Sequence, residues 1–269
     1  MNKNILVKLL GWPGTILQGD IAMFDRWRWL RKHLSPTLCR TLDAGCGSGA
    51  YAMYAAKIGN RTTGLSWSDD DLHKARTRAE LLKLQNIDFI QVDLRELDRW
   101  SERLGLFDQI ICLETIEHIL NDRKLVKDLV RLLQPGGRLL MTTPHKYYRP
   151  LRGDKISDHE DGGHVRWGYT HDELRDIFEE NGLTVESKEF ICGWVTQKLA
   201  NLTRVLHEKI GFAAGSLILI PFRFLWPLDH LITNLLKYPY LTVAVVGRQQ
   251  ALTRTADSRI APTYIESKI

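Results

Sequence analysis

Residues 41–49, Thr-Leu-Asp-Ala-Gly-Cys-Gly-Ser-Gly, hold the types and the spacing that do chemistry. An acid closes a short apolar run, three glycines follow at every second position, and a helix-forming stretch opens at Ala50. Glycines at such a turn let the backbone approach a ligand where a side chain would clash, which points to a nucleotide-like cofactor. The same residues satisfy both G-x-G-x-G and the dinucleotide pattern G-x-G-x-x-A, so the turn alone does not choose between cofactors. Ser66, Asp93 and Glu114 stand at or beyond the ends of further apolar runs. His118, His145 and His164 follow the fourth and fifth of those runs and are the candidate proton acceptors.

These residues are positioned by a regular alternation. Strands are expected over 41–43, 61–65, 87–92, 107–113, 138–142, 183–190 and 241–246, and helices over 50–58, 70–84, 122–133 and 172–180. Run 107–113 is nearly all apolar, as a strand buried on both faces should be. The pattern specifies an α/β fold, a doubly wound sandwich. Ligands then bind beyond the carboxyl ends of the strands, where strand order reverses, and Asp43, Gly45, Ser66, Asp93 and Glu114 should converge there. Residues 1–40 read as an amphipathic helical cap, with Arg26, Arg28, Arg31 and Lys32 as its solvated side. Residues 144–169 form a long polar loop whose glycines suggest a mobile lid, and 193–238 an insertion before the last strand. Within the insertion, 210–222 is uncharged, but it is too short to span a bilayer and is interrupted by Gly211, Gly215 and Pro221. Residues 250–269 read as a flexible tail.

The 269 residues suit one domain with additions, and a net charge of +5 permits but does not demand contact with anionic membranes or nucleic acid. Cys39, Cys46, Cys112 and Cys192 lie far apart, without metal-ligand spacing, so no disulfide framework and no metal are expected. The first ten residues place charge before apolar residues in the manner of a secretion signal, but Lys8, Gly11 and Pro13 break the run. The expected location is the cytoplasm, with the membrane surface as an allowed site.

The ordered motifs Leu42–Gly49, Gly64-Leu65-Ser66-Trp67-Ser68, Gln91-Val92-Asp93, Phe107–Cys112 with Glu117-His118, and Leu132–Leu139 resemble the class I S-adenosylmethionine-dependent methyltransferases, in particular their small-molecule members. The resemblance covers roughly residues 40–190. It implies a seven-stranded Rossmann-like sheet whose last strand is antiparallel, with N-terminal helices and a helical insertion before that strand. The cofactor-binding domain would run over 41–249, with S-adenosyl-L-methionine as cofactor and S-adenosyl-L-homocysteine as product. Gly45, Cys46, Gly47 and Gly49 would pass under the methionine and ribose part. Asp43 would support that turn or reach the ammonium, and Leu113 and Glu114 would line the methionine part. Trp67 would stack on adenine, and Asp93 would accept a hydrogen bond from its amino group. Ser66 departs from the family's usual ribose-binding acid, which leaves Asp69 or water for the ribose.

Methyl transfer from a sulfonium needs alignment and dryness more than a fixed triad, and it needs a general base only for a hydroxyl or protonated amine acceptor. The acceptor expected is a small molecule, lipid-like or a glycan precursor, methylated on oxygen. Its cover would come from the N-terminal helices and the apolar insertion, which could also touch a membrane. No nucleic-acid module is evident. The competing classes are a nicotinamide-dependent oxidoreductase and a non-catalytic, membrane-associated binder of the same fold.

Overall fold

A computed structural model describes residues 4–17, 19–36, 38–211 and 221–250. Three helices, α1 (Ile5–Leu10), α2 (Pro13–Leu17) and α3 (Ala22–His33), precede the sheet. The alternating part runs β1 (Arg40–Ala44), α4 (Ala50–Lys57), β2 (Arg61–Ser66), α5 (Asp69–Leu81) and β3 (Ile87–Gln91). A 3-10 turn at Leu94–Trp100 and α6 (Ser101–Leu104) lead to β4 (Phe107–Leu113), α7 (Asp122–Arg131) and β5 (Leu133–Pro144). After the long loop come α8 (His171–Glu180), β6 (Leu183–Ile191), α9 (Trp194–Ile210), a 3-10 turn at Pro221–Leu225, α10 (Trp226–Leu235) and β7 (Thr242–Gln249).

The seven strands pair in the order β3-β2-β1-β4-β5-β7-β6. β7 is antiparallel to both neighbours, and the other pairings are parallel. Strand order therefore reverses between β1 and β4, and the crevice beyond their carboxyl ends is the expected ligand position. Side chains alternate between two cores, as the two-residue period of a strand requires. Ile110, Cys112, Leu139, Met141, Val243 and Val245 face one core with α7 and α8. Ile111, Leu113, Leu140, Ala244 and Val246 face the other with α3, α4 and α5. A third cluster joins Ile21 and Ala22 of the N-terminal cap to Tyr148 and Leu151 of the long loop and to Val195 and Leu199 of α9. These three additions thus share one apolar seam.

The expected elements are present with shifted ends. β5 starts at Leu133, ahead of the Gln-Pro-Gly-Gly turn, because Phe107 pairs with Leu133 before a bulge resets the register at Gln109–Arg138. α5 starts one residue early because the Ser68 hydroxyl accepts from the Asp71 N–H at 3.3 Å, a side-chain cap. The 3-10 turn after β3 was not expected; Asp93 caps it by accepting from the Arg95 N–H. Residues 212–220 of the apolar run, and 251–269 of the expected tail, lie outside the described residues. No described helix is long and apolar enough to cross a membrane. All four cysteines are free.

Candidate functional site

β1 ends in a loop whose geometry only glycine tolerates. Gly45 has φ +84°, and a Cβ there would meet the Thr115 hydroxyl at 2.4 Å, so the loop is pressed against the residue after β4. Gly47 has φ +48°, but a Cβ there would meet nothing within 4 Å. It faces open space: a cavity of about 550 Å³ lined by Gly45, Gly47, Ser66, Trp67, Asp93 and Glu114, with Asp71 and His118 at its wall. Six of the expected cofactor residues thus come together at the β1/β4 reversal.

The other four stand behind them. Cys46, Gly49 and Leu113 are not on the cavity wall; Cys46 and Leu113 pack into the α4 side of the core. Asp43 is buried beneath the loop. Burial pushes its carboxyl up to about 7, against the pull of the Ala52 backbone N–H. One of its oxygens has no hydrogen-bond partner.

Around the cavity, each polar group has a distinct setting. The Ser66 hydroxyl accepts from the Ser68 N–H at 3.2 Å. Asp69, expected as a substitute for the ribose acid, is 75% exposed and off the wall, whereas Asp71, paired with Lys74 at 2.9 Å, is on it. Trp67 is 65% exposed and is not packed under α5; a Cβ on Gly162 would lie 3.6 Å from its ring. Arg95 grips Asp93 through Nε and Nη2, which holds the carboxylate below its usual range.

The long loop closes the cavity. Glu160, Asp161 and Gly162 line its far wall. Glu160 accepts from the Leu120 N–H at 2.6 Å and pairs with Arg95 at 3.4 Å. The Val165 N–H donates to the Glu117 carbonyl at 2.9 Å. The loop expected to be a mobile lid is therefore tied at several points to β4's end.

At that junction stand Glu117, His118 and His164. The His118 Nδ1 lies 3.0 Å from the Gly163 carbonyl. A carbonyl only accepts, so in neutral His118 the proton is on Nδ1 and the lone pair on Nε2. The His164 ring meets the His118 ring edge-to-face at 4.8 Å. Burial, and His118 beside it, hold His164 below the usual histidine value and hence neutral. Glu117 is fully buried; one oxygen accepts from the Thr143 hydroxyl at 3.0 Å and the other, 3.9 Å from His118 Nε2, has no partner. Burial, with Glu114 nearby, pushes Glu117 well above its usual value. The Glu-His pair was visible in the sequence, but Glu117 itself was not singled out, because nothing local shows that it is buried.

His145 is not brought to this site. Its ring packs on Tyr147 and Phe190, and its backbone N–H donates to Leu241, on the β7 side of the sheet. Arg26 also departs from expectation. It is not a solvated residue: its guanidinium meets Glu114 at 2.6 Å with both side chains largely buried. Glu114 has φ +50°, a strained conformation held by its N–H to the Thr142 carbonyl and by the Thr142 hydroxyl donating to its carboxylate. A wider cleft of about 960 Å³ between α3, β6 and α10 includes none of the expected site residues.

A family profile described as a methyltransferase domain matches residues 21–188. The chain is similar to the ubiquinone biosynthesis O-methyltransferase of Acinetobacter baylyi (strain ATCC 33305 / BD413 / ADP1), 30% identical over 119 residues, which is 44% of this chain and 49% of that protein. The chain spans about half the length of the curated relatives it matches. Among solved structures, a putative methyltransferase from Bacillus halodurans C-125 superposes with a TM-score of 0.57 at 14% identity, covering 85% of this chain and 100% of that one. The cyclase SpnF superposes at 0.56 with 19% identity, covering 82% of this chain and 78% of that one. Both likenesses are of fold alone.

Proposed function

The chain belongs to the class I S-adenosylmethionine-dependent methyltransferase family, and from that premise we propose that it O-methylates a small, lipid-like or glycan-precursor acceptor. The observation that carries the proposal is the cavity at the β1/β4 reversal, with Gly47 open to it. The residues fit an adenosyl ligand. Gly45 and Gly47 would run under its methionine and ribose part, with Cys46 and Gly49 shaping the turn and Asp43 supporting it from below. The Trp67 ring would stack on the adenine face. Asp93, kept ionised by Arg95, would accept from its amino group, and Leu113 would back the methionine part. Glu114, oriented by Arg26 and Thr142, would meet the ammonium. Ser66 offers a hydroxyl, and Asp71 the nearest acid, to the ribose.

S-adenosylmethionine supplies an electrophilic methyl group on a good leaving sulfur. The chain's own contribution is to align the acceptor oxygen with that methyl and to exclude water. The loop over the cavity, tied by Glu160 and Val165, does the second. For the first, His118 Nε2 and neutral His164 are the proton acceptors for a hydroxyl, and Thr143 holds Glu117 beside them. His145 has no part in this scheme. The setting is cytoplasmic, at a membrane surface when the acceptor is a lipid.

The single test is calorimetry of the full chain with S-adenosylhomocysteine and, separately, with NAD. Binding of the first and none of the second is expected. Binding of NAD alone would return the protein to the oxidoreductase class.

A further inference from the structure

Glu117, His118 and His164 form a donor cluster that the methyl-transfer reading leaves partly unused. Among the described residues they are the one group of three His, Cys, Asp or Glu side chains whose ligand atoms all lie within 4.8 Å of one another. Spacing along the chain gave no sign of it, because the long loop carries His164 back to the residues that follow β4. Glu114, an acid on the same cavity wall as His118, is not free to join them. Arg26 and the Thr142 hydroxyl occupy its carboxylate.

A second observation points to a ligand at this cluster. Glu117 is fully buried, and its Oε1 has no hydrogen-bond partner. Native folds rarely leave such an oxygen unsatisfied, because its lost hydration is not replaced. Oε1 lies 3.9 Å from His118 Nε2, too far for a hydrogen bond. Bonds of about 2.0–2.2 Å to one zinc-sized ion set two donors as much as roughly 4 Å apart, so this pair is at bridging distance. The widest separation in the group, within 4.8 Å, exceeds that by roughly 1 Å or less. The groups behind the donors hold them in place. The Thr143 hydroxyl donates to the other Glu117 oxygen at 3.0 Å. His118 Nδ1 donates to the Gly163 carbonyl at 3.0 Å, which leaves the Nε2 lone pair for a ligand. The loop is pinned on both sides of His164. The Ser157 N–H donates to the His164 carbonyl at 2.7 Å, and the Val165 N–H to the Glu117 carbonyl at 2.9 Å. Outer hydrogen bonds of this kind fix rings and carboxylates around metal ions.

We propose that Glu117 Oε1, His118 Nε2 and a ring nitrogen of His164 hold one divalent cation of the zinc type. Two imidazoles and a carboxylate, with no thiolate, suit Zn2+, and three protein donors leave a coordination position for an oxygen from outside the chain. His118 is on the wall of the cofactor cavity, so the ion stands beside that space. Any proton on Glu117 is displaced as the cation enters. The purpose of the ion rests on the methyltransferase reading. An acceptor hydroxyl bound to it loses its proton to water more readily than a free one. With the ion in place, the two imidazole lone pairs serve it, and the ion activates the hydroxyl in their stead.

The test is calorimetry of the full chain, stripped with a chelator and titrated with Zn2+ and, separately, with Mg2+. One Zn2+ per chain should bind, and Mg2+ at least about a hundredfold more weakly, because it prefers oxygen ligands. Glu117→Gln and His164→Ala should each lower Zn2+ affinity at least about a hundredfold, and Thr143→Val, one shell out, about tenfold. His159→Ala removes an exposed histidine of the same loop and should bind Zn2+ as the wild type does. Co2+ in place of Zn2+ should give visible absorption bands that His164→Ala loses. Far-ultraviolet spectra of the variants should match the wild type, and the nearly isosteric Glu117→Gln keeps the test readable should His164→Ala unfold. A wild type that binds no Zn2+, or binds Mg2+ as tightly, would overturn the site. So would a folded Glu117→Gln or His164→Ala with unchanged Zn2+ affinity. A wild type that takes Zn2+ but not S-adenosylhomocysteine would instead overturn the methyltransferase reading and leave the ion site standing, so the two failures are distinguishable.

Discussion

Gly47 is the residue at which conformation and ligand space meet. Its φ of +48° and the empty 4 Å around its missing Cβ mean that valine there adds backbone strain and fills the cavity. Gly47→Val should lower S-adenosylhomocysteine affinity at least about a hundredfold in calorimetry while the far-ultraviolet spectrum stays that of the wild type. Asp43 makes a different prediction. Its folded-state pKa of about 7 lies above the ordinary 3.8, so the folded chain holds this proton where the unfolded chain has released it. The resulting stability is complete below pH 3.8 and lost as pH rises through 7. In urea titrations of the ligand-free chain, Asp43→Asn should remove that slope and raise stability at pH 8, by up to roughly 4 kcal/mol. His164, held neutral by burial, should give an acid limb to methyl transfer that falls below the ordinary histidine value of 6.5. His164→Ala should lose that limb and about a hundredfold in rate, read as labelled methyl on a hydroxylated lipid-like acceptor.

Among the elements, α3 is the one whose role changed most on folding. It covers the α4 side of the sheet with Trp29 and Leu30, and it sends Arg26 to Glu114 at the cavity wall. Removing the arginine leaves a strained, largely buried carboxylate without its counter-charge. Arg26→Ala should therefore cost about 2 kcal/mol or more and weaken cofactor binding as well. A cycle with Glu114→Gln should show that the two effects are coupled, since the pair is in direct contact. The cap thus braces a residue of the site's wall as well as covering the core.

For the molecule as a whole, the cavity is built from pieces far apart in sequence: the β1 loop, the ends of β2, β3 and β4, and the loop residues Glu160–Gly162. A ligand that bridges them binds only the folded state. S-adenosylhomocysteine at a hundred times its dissociation constant should raise unfolding free energy by about 2.7 kcal/mol, measured by urea titration with and without ligand. No increase would mean that these pieces do not close on an adenosyl group.

The amino-acid order by itself determined the alternation of strands and helices, the glycine turn after β1 and the acids at the strand ends, because those signals are local. A strand's two-residue period and a turn's need for positive φ are written in neighbouring residues. The long-range arrangements were decided by tertiary structure. Arg26 looked like any solvated cation on an amphipathic helix until packing placed it 2.6 Å from Glu114, 88 residues away. Glu117, named only as half of the Glu-His motif, gave no local sign of its burial, which comes from β4, β5 and the loop enclosing it with Thr143, His118 and His164. His145 and His164 were equivalent candidates until the antiparallel β7 drew one toward Phe190 and the loop laid the other on His118. Burial and partnership are properties of contacts between distant segments, and they set which charges persist and which lone pairs are left to react.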